Sequence, residues 1–204
     1  LLTPQRDLDD EMKAFLQQRL EHFALSPTAL NDFLNDPQVF LERHLLQVPQ
    51  ARDATYAYGN AVHHVLAKWA MALQNGDVLD RSQLMQQFTE HLHDRELLTQ
   101  AEFERLHSLG EESLGRYIDE RLVEPYPVVF KVEHEVRAHL EPSKALDTSI
   151  PLKGKVDRID VAAPDSARAT VIDFKTGKPK TPAQIEKYGY HRQLTFYSLL
   201  IELS

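Results

Sequence analysis

Two carboxylates and one lysine are the residues most suited to chemistry in this chain. Asp173-Phe174-Lys175 lies in the run ATVIDFKTGK, and Asp157 lies just upstream in LKGKVDRIDV. Both runs are predicted as strands. Residues two apart on a strand project to the same face, so Asp173 and Lys175 are expected to point together. The neighbouring Val171, Ile172 and Phe174 suggest that this strand is buried. A buried charge is costly unless it is paired or binds a metal. Two acids and a lysine on adjacent strands therefore suggest a divalent-cation site for phosphodiester hydrolysis. The plain alternative is a solvated Asp-x-Lys strand face, and a motif this short does not exclude it alone.

Further residues fall in order around this pair. In YGNAVHHVLAKWA, Gly59 and His63 are one helical turn apart, beside an apolar stripe of Val62, Leu66, Trp69 and Leu73. VFKVEHEVRAHL reads as a strand with Val132, Val136, Ala138 and Leu140 on one face and Glu133 and Glu135 on the other. In YHRQLTFY, Gln193 and Tyr197 are four apart and share a helix face.

Taken together, these residues resemble the PD-(D/E)XK nuclease superfamily, in its RecB-like branch. That branch has Gly-x-x-x-His on a helix, here Gly59 to His63, and then a Glu-bearing strand, here Glu133 or Glu135. Gly-x-x-Asp-Arg-x-Asp follows as Gly154 to Asp160, Asp-x-Lys-Thr-Gly as Asp173 to Gly177, and Gln-x-x-x-Tyr as Gln193 to Tyr197. The resemblance runs from Leu25 to the chain end. Each motif is weak alone, and the ordered set is specific.

The resemblance implies a nuclease using Mg²⁺ or Mn²⁺. Asp157 and Asp173 would supply carboxylates, His63 a nitrogen and Phe174 its backbone carbonyl. Lys175 would orient or activate water and screen the transition state. Glu133, or Glu135, would anchor a metal-bound water or a second cation. Gln193 and Tyr197 would hold the lysine or a DNA phosphate, with Tyr190 extending their face. Arg158 and Lys178 are expected to contact phosphates without reading sequence. The implied activity is exonuclease action on single-stranded DNA ends, in a module fused to a superfamily 1 helicase for break processing. The alternatives are a stand-alone repair or phage-type exonuclease, or an inactivated nuclease fold that only binds DNA. Inactivated relatives usually lose the Asp or Lys of the second motif, and both stand here.

Iron–sulfur members of this branch carry a cysteine near the position of Asp36. This chain has no cysteine, so it can ligate no thiolate cluster and form no disulfide. That fits a reducing compartment, and a cytoplasmic location is expected. The sequence shows no membrane-length apolar run.

Net charge is −8, unfavourable for approaching phosphates. The charge is unevenly placed. From Ile150 to Arg192 nine Lys/Arg face five acids, a surplus of +4, which leaves −12 elsewhere. A basic stretch around an acidic centre suits a metal nuclease, although lysines on a strand meander are also commonly just solvated.

The predicted elements set these residues in place. Helices are expected at Asp7–Phe23, from Ser26-Pro27 to Asp36, and on to about Leu46. The Gly59 helix should end at Asn75-Gly76, and helices over Ser82–Leu98 and Glu102–Leu122 read as scaffolding. Strands follow at 128–140, 150–162 and 169–175, with turns at 142–148 and 163–168. Thr181-Pro182-Ala183-Gln184 reads as a capping box, and Gly189 as the break before a last amphipathic helix. The expected fold is α/β, bordering on α+β: a small mixed sheet flanked by helices, a restriction-endonuclease-like core and an N-terminal helical layer. Residues 1–24 read as an extension and 25–204 as the nuclease domain. The Leu1-Leu2 start and the ending inside a helix suggest a piece of a longer polypeptide.

Overall fold

The computed structural model describes residues 9–49, 54–121, 123, 125–142, 147–163 and 168–204. The start of the first expected helix, the centres of both expected strand turns and part of the 48–55 loop lie outside these residues. Described helices are α1 (Asp10–Glu21), α2 (Pro27–Asn35), α3 (Pro37–Phe40), α4 (Ala54–Gln74), α5 (Arg81–Arg95), α6 (Gln100–Arg121), α7 (Pro182–Lys187) and α8 (Tyr190–Leu203). The strands β1 (Val128–Leu140), β2 (Ile150–Val161) and β3 (Ala169–Ile172) form one sheet in the order β1–β2–β3. The fold class is the expected one, helices with a small antiparallel sheet. Among the described residues no helix is long and apolar enough to cross a membrane.

Local signals explain most boundaries. The Ser26 hydroxyl accepts from the Ala29 amide ahead of Pro27, as an N-cap with proline at the first helical position should. Asp36 ends α2 and caps α3 through the Gln38 amide. The chain then widens into a π-helical turn, Leu41–Leu45, where an ordinary helix is expected. Capping boxes open α5, with Asp80 and Gln83, and α7, with Thr181 and Gln184.

The chain forms two compact units, with the divisions falling inside β1 and β2. The second unit comprises Ala51–Glu135 and Lys155–Pro179. Its core joins Val62, Leu66 and Trp69 of α4 to Leu84, Phe88 and Leu92 of α5, and to Leu106, Leu114 and Ile118 of α6. Leu109, also on α6, is exposed. Arg158 pairs opposite Ile172 and Ile159 opposite Val171 across β2 and antiparallel β3.

The first unit comprises Leu1–Gln50, Val136–Gly154 and Lys180–Ser204. Phe196, Tyr197 and Leu200 of α8 are buried there, as are Ala29, Leu45 and Leu152. Leu25 and Leu152 form an isolated parallel bridge. Gly154 is required by close approach: a Cβ there would lie 2.6 Å from Leu200 Cδ1 and 3.2 Å from the Tyr197 ring. Gly189 adopts φ 70°, and a Cβ would also meet the Asn31 amide oxygen at 2.6 Å, so only glycine fits.

Two strand expectations need correction. The regular ladder of β3 ends at Ile172, so Asp173, Phe174 and Lys175 follow the strand instead of lying on it. In β1 the alternation breaks. Val129 is buried, then Val136 and Ala138, while Val132 and Leu140 are only half-buried. Glu133 sits between them with φ 49°, in the left-handed region. A left-handed residue inside a strand acts as a bulge does and shifts the side-chain phase by one.

Candidate metal centre

Four segments of the second unit converge on one group of acids. His63 comes from α4, Glu133 from the irregular point of β1, Asp157 from β2, and Asp173 from just past β3. Ligand atoms of His63, Glu133 and Asp157 all lie within 4.8 Å of one another. All three are half-buried and border a cavity of about 1110 Å³ that Thr176 and Lys155 also line.

Asp157 is the hub. Its Oδ1 is 3.3 Å from His63 Nδ1, and its Oδ2 accepts from the Phe174 amide at 2.7 Å. The Phe174 ring packs against the helical core, edge-on to His63 and to Tyr117. That anchor fixes the Asp-x-Lys segment and orients the Asp157 carboxylate at once. Asp173 forms an ion pair with Lys175, and Glu133 forms one with Lys155.

The electrostatics follow from these contacts. The hydrogen bond that Asp157 accepts from His63 holds the His63 pKa above its ordinary value, against the opposing effect of burial. Burial is the main cause raising the Asp173 pKa, and Lys175 opposes it. His64, next on α4, stacks on His91 with ring centroids 4.5 Å apart. Burial lowers the pKa of both, and for His64 the neighbouring His91, Lys68 and Arg95 lower it further.

One imidazole nitrogen and two carboxylates at this spacing suit a divalent cation: carboxylate oxygens serve Mg²⁺ or Mn²⁺, and an imidazole favours Mn²⁺. The family model of the PD-(D/E)XK nuclease superfamily matches residues 24–204. The chain belongs to the PD-(D/E)XK nuclease superfamily. No curated protein matches it significantly. Superfamily membership makes metal-dependent nuclease chemistry the typical activity of this fold.

The remaining residues named from the superfamily motifs divide clearly. Glu133 joins the group, whereas Glu135 is exposed on β1. Asp173 stands outside the 4.8 Å group but close enough for its charge to act on His63. Gln193 and Tyr197 are on α8 of the other unit, where the Gln193 amide donates to the Tyr197 hydroxyl at 3.1 Å. Tyr190 starts the same helix, with its ring 6.3 Å from that of Tyr188. Lys178 is exposed.

Arg158 is a correction. It is only 5% exposed. Its Nε donates to Asp160 Oδ1 at 2.7 Å and its Nη2 to Asp160 Oδ2 at 2.6 Å, and its guanidinium lies 5.5 Å from the Trp69 ring centroid. A guanidinium committed in this way braces the strand, with both ends of its fork taken by one carboxylate. The second acid of the Asp-Arg-x-Asp motif is thus the partner of its arginine. Lys155 was missed by sequence reasoning. Its position two before Asp157 on a strand was the available signal, since that spacing shares a face.

Proposed function

We propose that the chain is a divalent-metal-dependent deoxyribonuclease module of the RecB-like branch, an exonuclease on single-stranded DNA ends. We place it in cytoplasmic DNA repair or recombination, beside or fused to a helicase. The observation that carries this reading is the His63–Glu133–Asp157 group with the Asp173–Lys175 pair in the same unit. The surplus of cations from Ile150 to Arg192 supports a phosphate-bearing substrate.

His63, Asp157 and Glu133 would hold the cation, with Asp173 and the Phe174 carbonyl completing the set as the resemblance implies. When bound, the cation would make water a nucleophile near neutral pH and neutralise charge on the phosphoryl oxygens. The chain's own groups do the positioning. The Phe174 amide and His63 hold the Asp157 carboxylate in one orientation. Lys175 places an ammonium beside Asp173, where it can stabilise negative charge developing on the phosphate. Gln193 and Tyr197 take their part in the reaction from the resemblance alone.

The test combines Mn²⁺ calorimetry with cleavage of end-labelled single-stranded DNA, duplex DNA and RNA. Asp157→Ala should lose both metal and cleavage. Lys175→Ala should keep metal and substrate binding and lose turnover, because it acts on the transition state. Wild-type Mn²⁺ affinity in Asp157→Ala would remove the metal assignment. A wild-type chain that binds metal and DNA without cutting would make this an inactive, DNA-binding nuclease fold.

A further inference from the structure

The cavity beside the metal group continues along one wall built by α4 and α5. On α4 it runs from Tyr56 past His63 and Lys68 to Met71, roughly 22 Å of helix. From α5 come His91 and Arg95, with Glu96 just past the helix end. The stacked His64 and His91 rings join the two helices at this wall.

The charges lining the cavity pair off unevenly. Glu133 is engaged by Lys155 and Asp157 by His63. Glu96 is held by the Asn60 amide at 3.0 Å and lies 3.8 Å from His91 Nε2. On the outer side, Asp94 is taken by His93 and Glu90 by Gln86. Lys68 and Arg95 remain. Both are exposed, and neither has an ion-pair or hydrogen-bond partner among the described residues.

We propose that Lys68 and Arg95 form a backbone-phosphate subsite for single-stranded DNA, gripping the phosphate next to the one presented to the metal group. This deepens the nuclease reading above and rests on it. Lys68 is one turn beyond His64 on α4 and borders the same cavity as His63. Arg158, the arginine of the motif, is buried and committed to Asp160, whereas Lys68 and Arg95 are exposed. A lysine and an arginine lining one groove supply a point charge and a fork-shaped donor, the two chemistries that hold a phosphate. Such contacts set register without reading bases.

The experiment uses the purified chain, Mn²⁺ and a fluorescent single-stranded oligonucleotide. Lys68→Ala with Arg95→Ala should weaken binding and raise KM roughly tenfold to a hundredfold. The slope of log affinity against log salt should shrink by about one. The kcat and the Mn²⁺ affinity should stay near wild type, and Lys68→Arg should retain most of the binding. A single uncharged methylphosphonate next to the scissile position should slow wild type but add nothing in the double variant. If KM and salt slope in the double variant equal wild type while wild type cleaves, the subsite is overturned and the nuclease reading stands. An effect seen only with terminally phosphorylated oligonucleotides overturns the backbone assignment. A wild-type chain that binds Mn²⁺ but neither binds nor cleaves the oligonucleotide overturns the nuclease reading, and the subsite with it.

Discussion

Arg158→Ala separates a bracing role from a phosphate-binding one. Arg158 is 5% exposed, and the Asp160 side chain it holds in a two-point hydrogen bond is 15% exposed. Two unit charges about 4 Å apart attract by about 4 kcal/mol at an effective dielectric near 20, and much of that offsets the desolvation of both groups. Truncating the arginine removes the attraction and leaves the desolvated Asp160 carboxylate behind, which for buried pairs costs about 3–5 kcal/mol. Losing the guanidinium over Trp69 adds about 1 kcal/mol, and the residual exposure of Asp160 subtracts a similar amount. A cost of about 3–5 kcal/mol is a large share of a typical folding stability of about 5–15 kcal/mol. For a chain of this length it corresponds to a fall in Tm of about 6–20 °C. Circular dichroism melts without added metal measure this directly. Arg158→Met with Asp160→Leu removes both charges and should recover at least half of the loss. If Arg158→Ala melts within about 1 °C of wild type and instead lowers DNA affinity and salt slope, the bracing role is wrong.

Gly154→Ala should cost about 1–3 kcal/mol in urea unfolding, because the new methyl meets Leu200 and Tyr197; an unchanged midpoint would contradict that contact. Glu133→Gly should stay within about 1 kcal/mol of wild type, since glycine accepts the left-handed backbone at no steric cost and Lys155 keeps more than half of its side chain exposed. The same variant should bind Mn²⁺ at least tenfold more weakly, and wild-type affinity would remove Glu133 from the site. The raised His63 pKa stabilises the metal-free fold below pH 6.5, the unfolded value, and that contribution is lost as pH rises through the folded pKa. Mn²⁺ affinity should run the other way, rising with pH across the same window as the ion displaces the proton from His63; titration calorimetry at several pH values that found a flat profile would exclude His63 as a ligand.

Much of the fold was legible because its signals are local. Ser26-Pro27, the Thr181–Gln184 capping box and Gly189 act within a few residues, and each falls where the sequence puts it. The apolar spacing of α4 and α5 likewise predicts the buried Trp69 and Phe88, because helical periodicity alone selects the inward face. The convergence of His63 with Asp157 came from ordered motifs, not from any single spacing. What sequence reasoning missed depends on partners far along the chain. Strand alternation assumes an unbroken ladder, and the left-handed Glu133 breaks it, so neither glutamate could be chosen in advance. Arg158 looked like a phosphate contact because nothing in its neighbourhood reveals Trp69, some ninety positions earlier. Lys68 and Arg95 sit on two helices, and only the packing of α4 on α5 places them on one wall.

The charge arrangement of the site also accounts for the stability of a fold that gathers three acids in one unit. Asp157, Glu133 and Asp173 would repel one another if left bare, and each instead has a partner: the imidazole of His63 and the cations of Lys155 and Lys175. Three half-neutralised pairs cost far less than three uncompensated carboxylates. Those two cations are well placed for a second use. Lys155 and Lys175 are each close to half exposed at the side chain, while the acids they hold are more buried. A phosphate arriving from solvent therefore finds the lysine side chains more accessible than the acidic ones. The same pairs that stabilise the fold present the favourable sign of charge to a nucleic-acid backbone, within a chain whose net charge of −8 would otherwise oppose it.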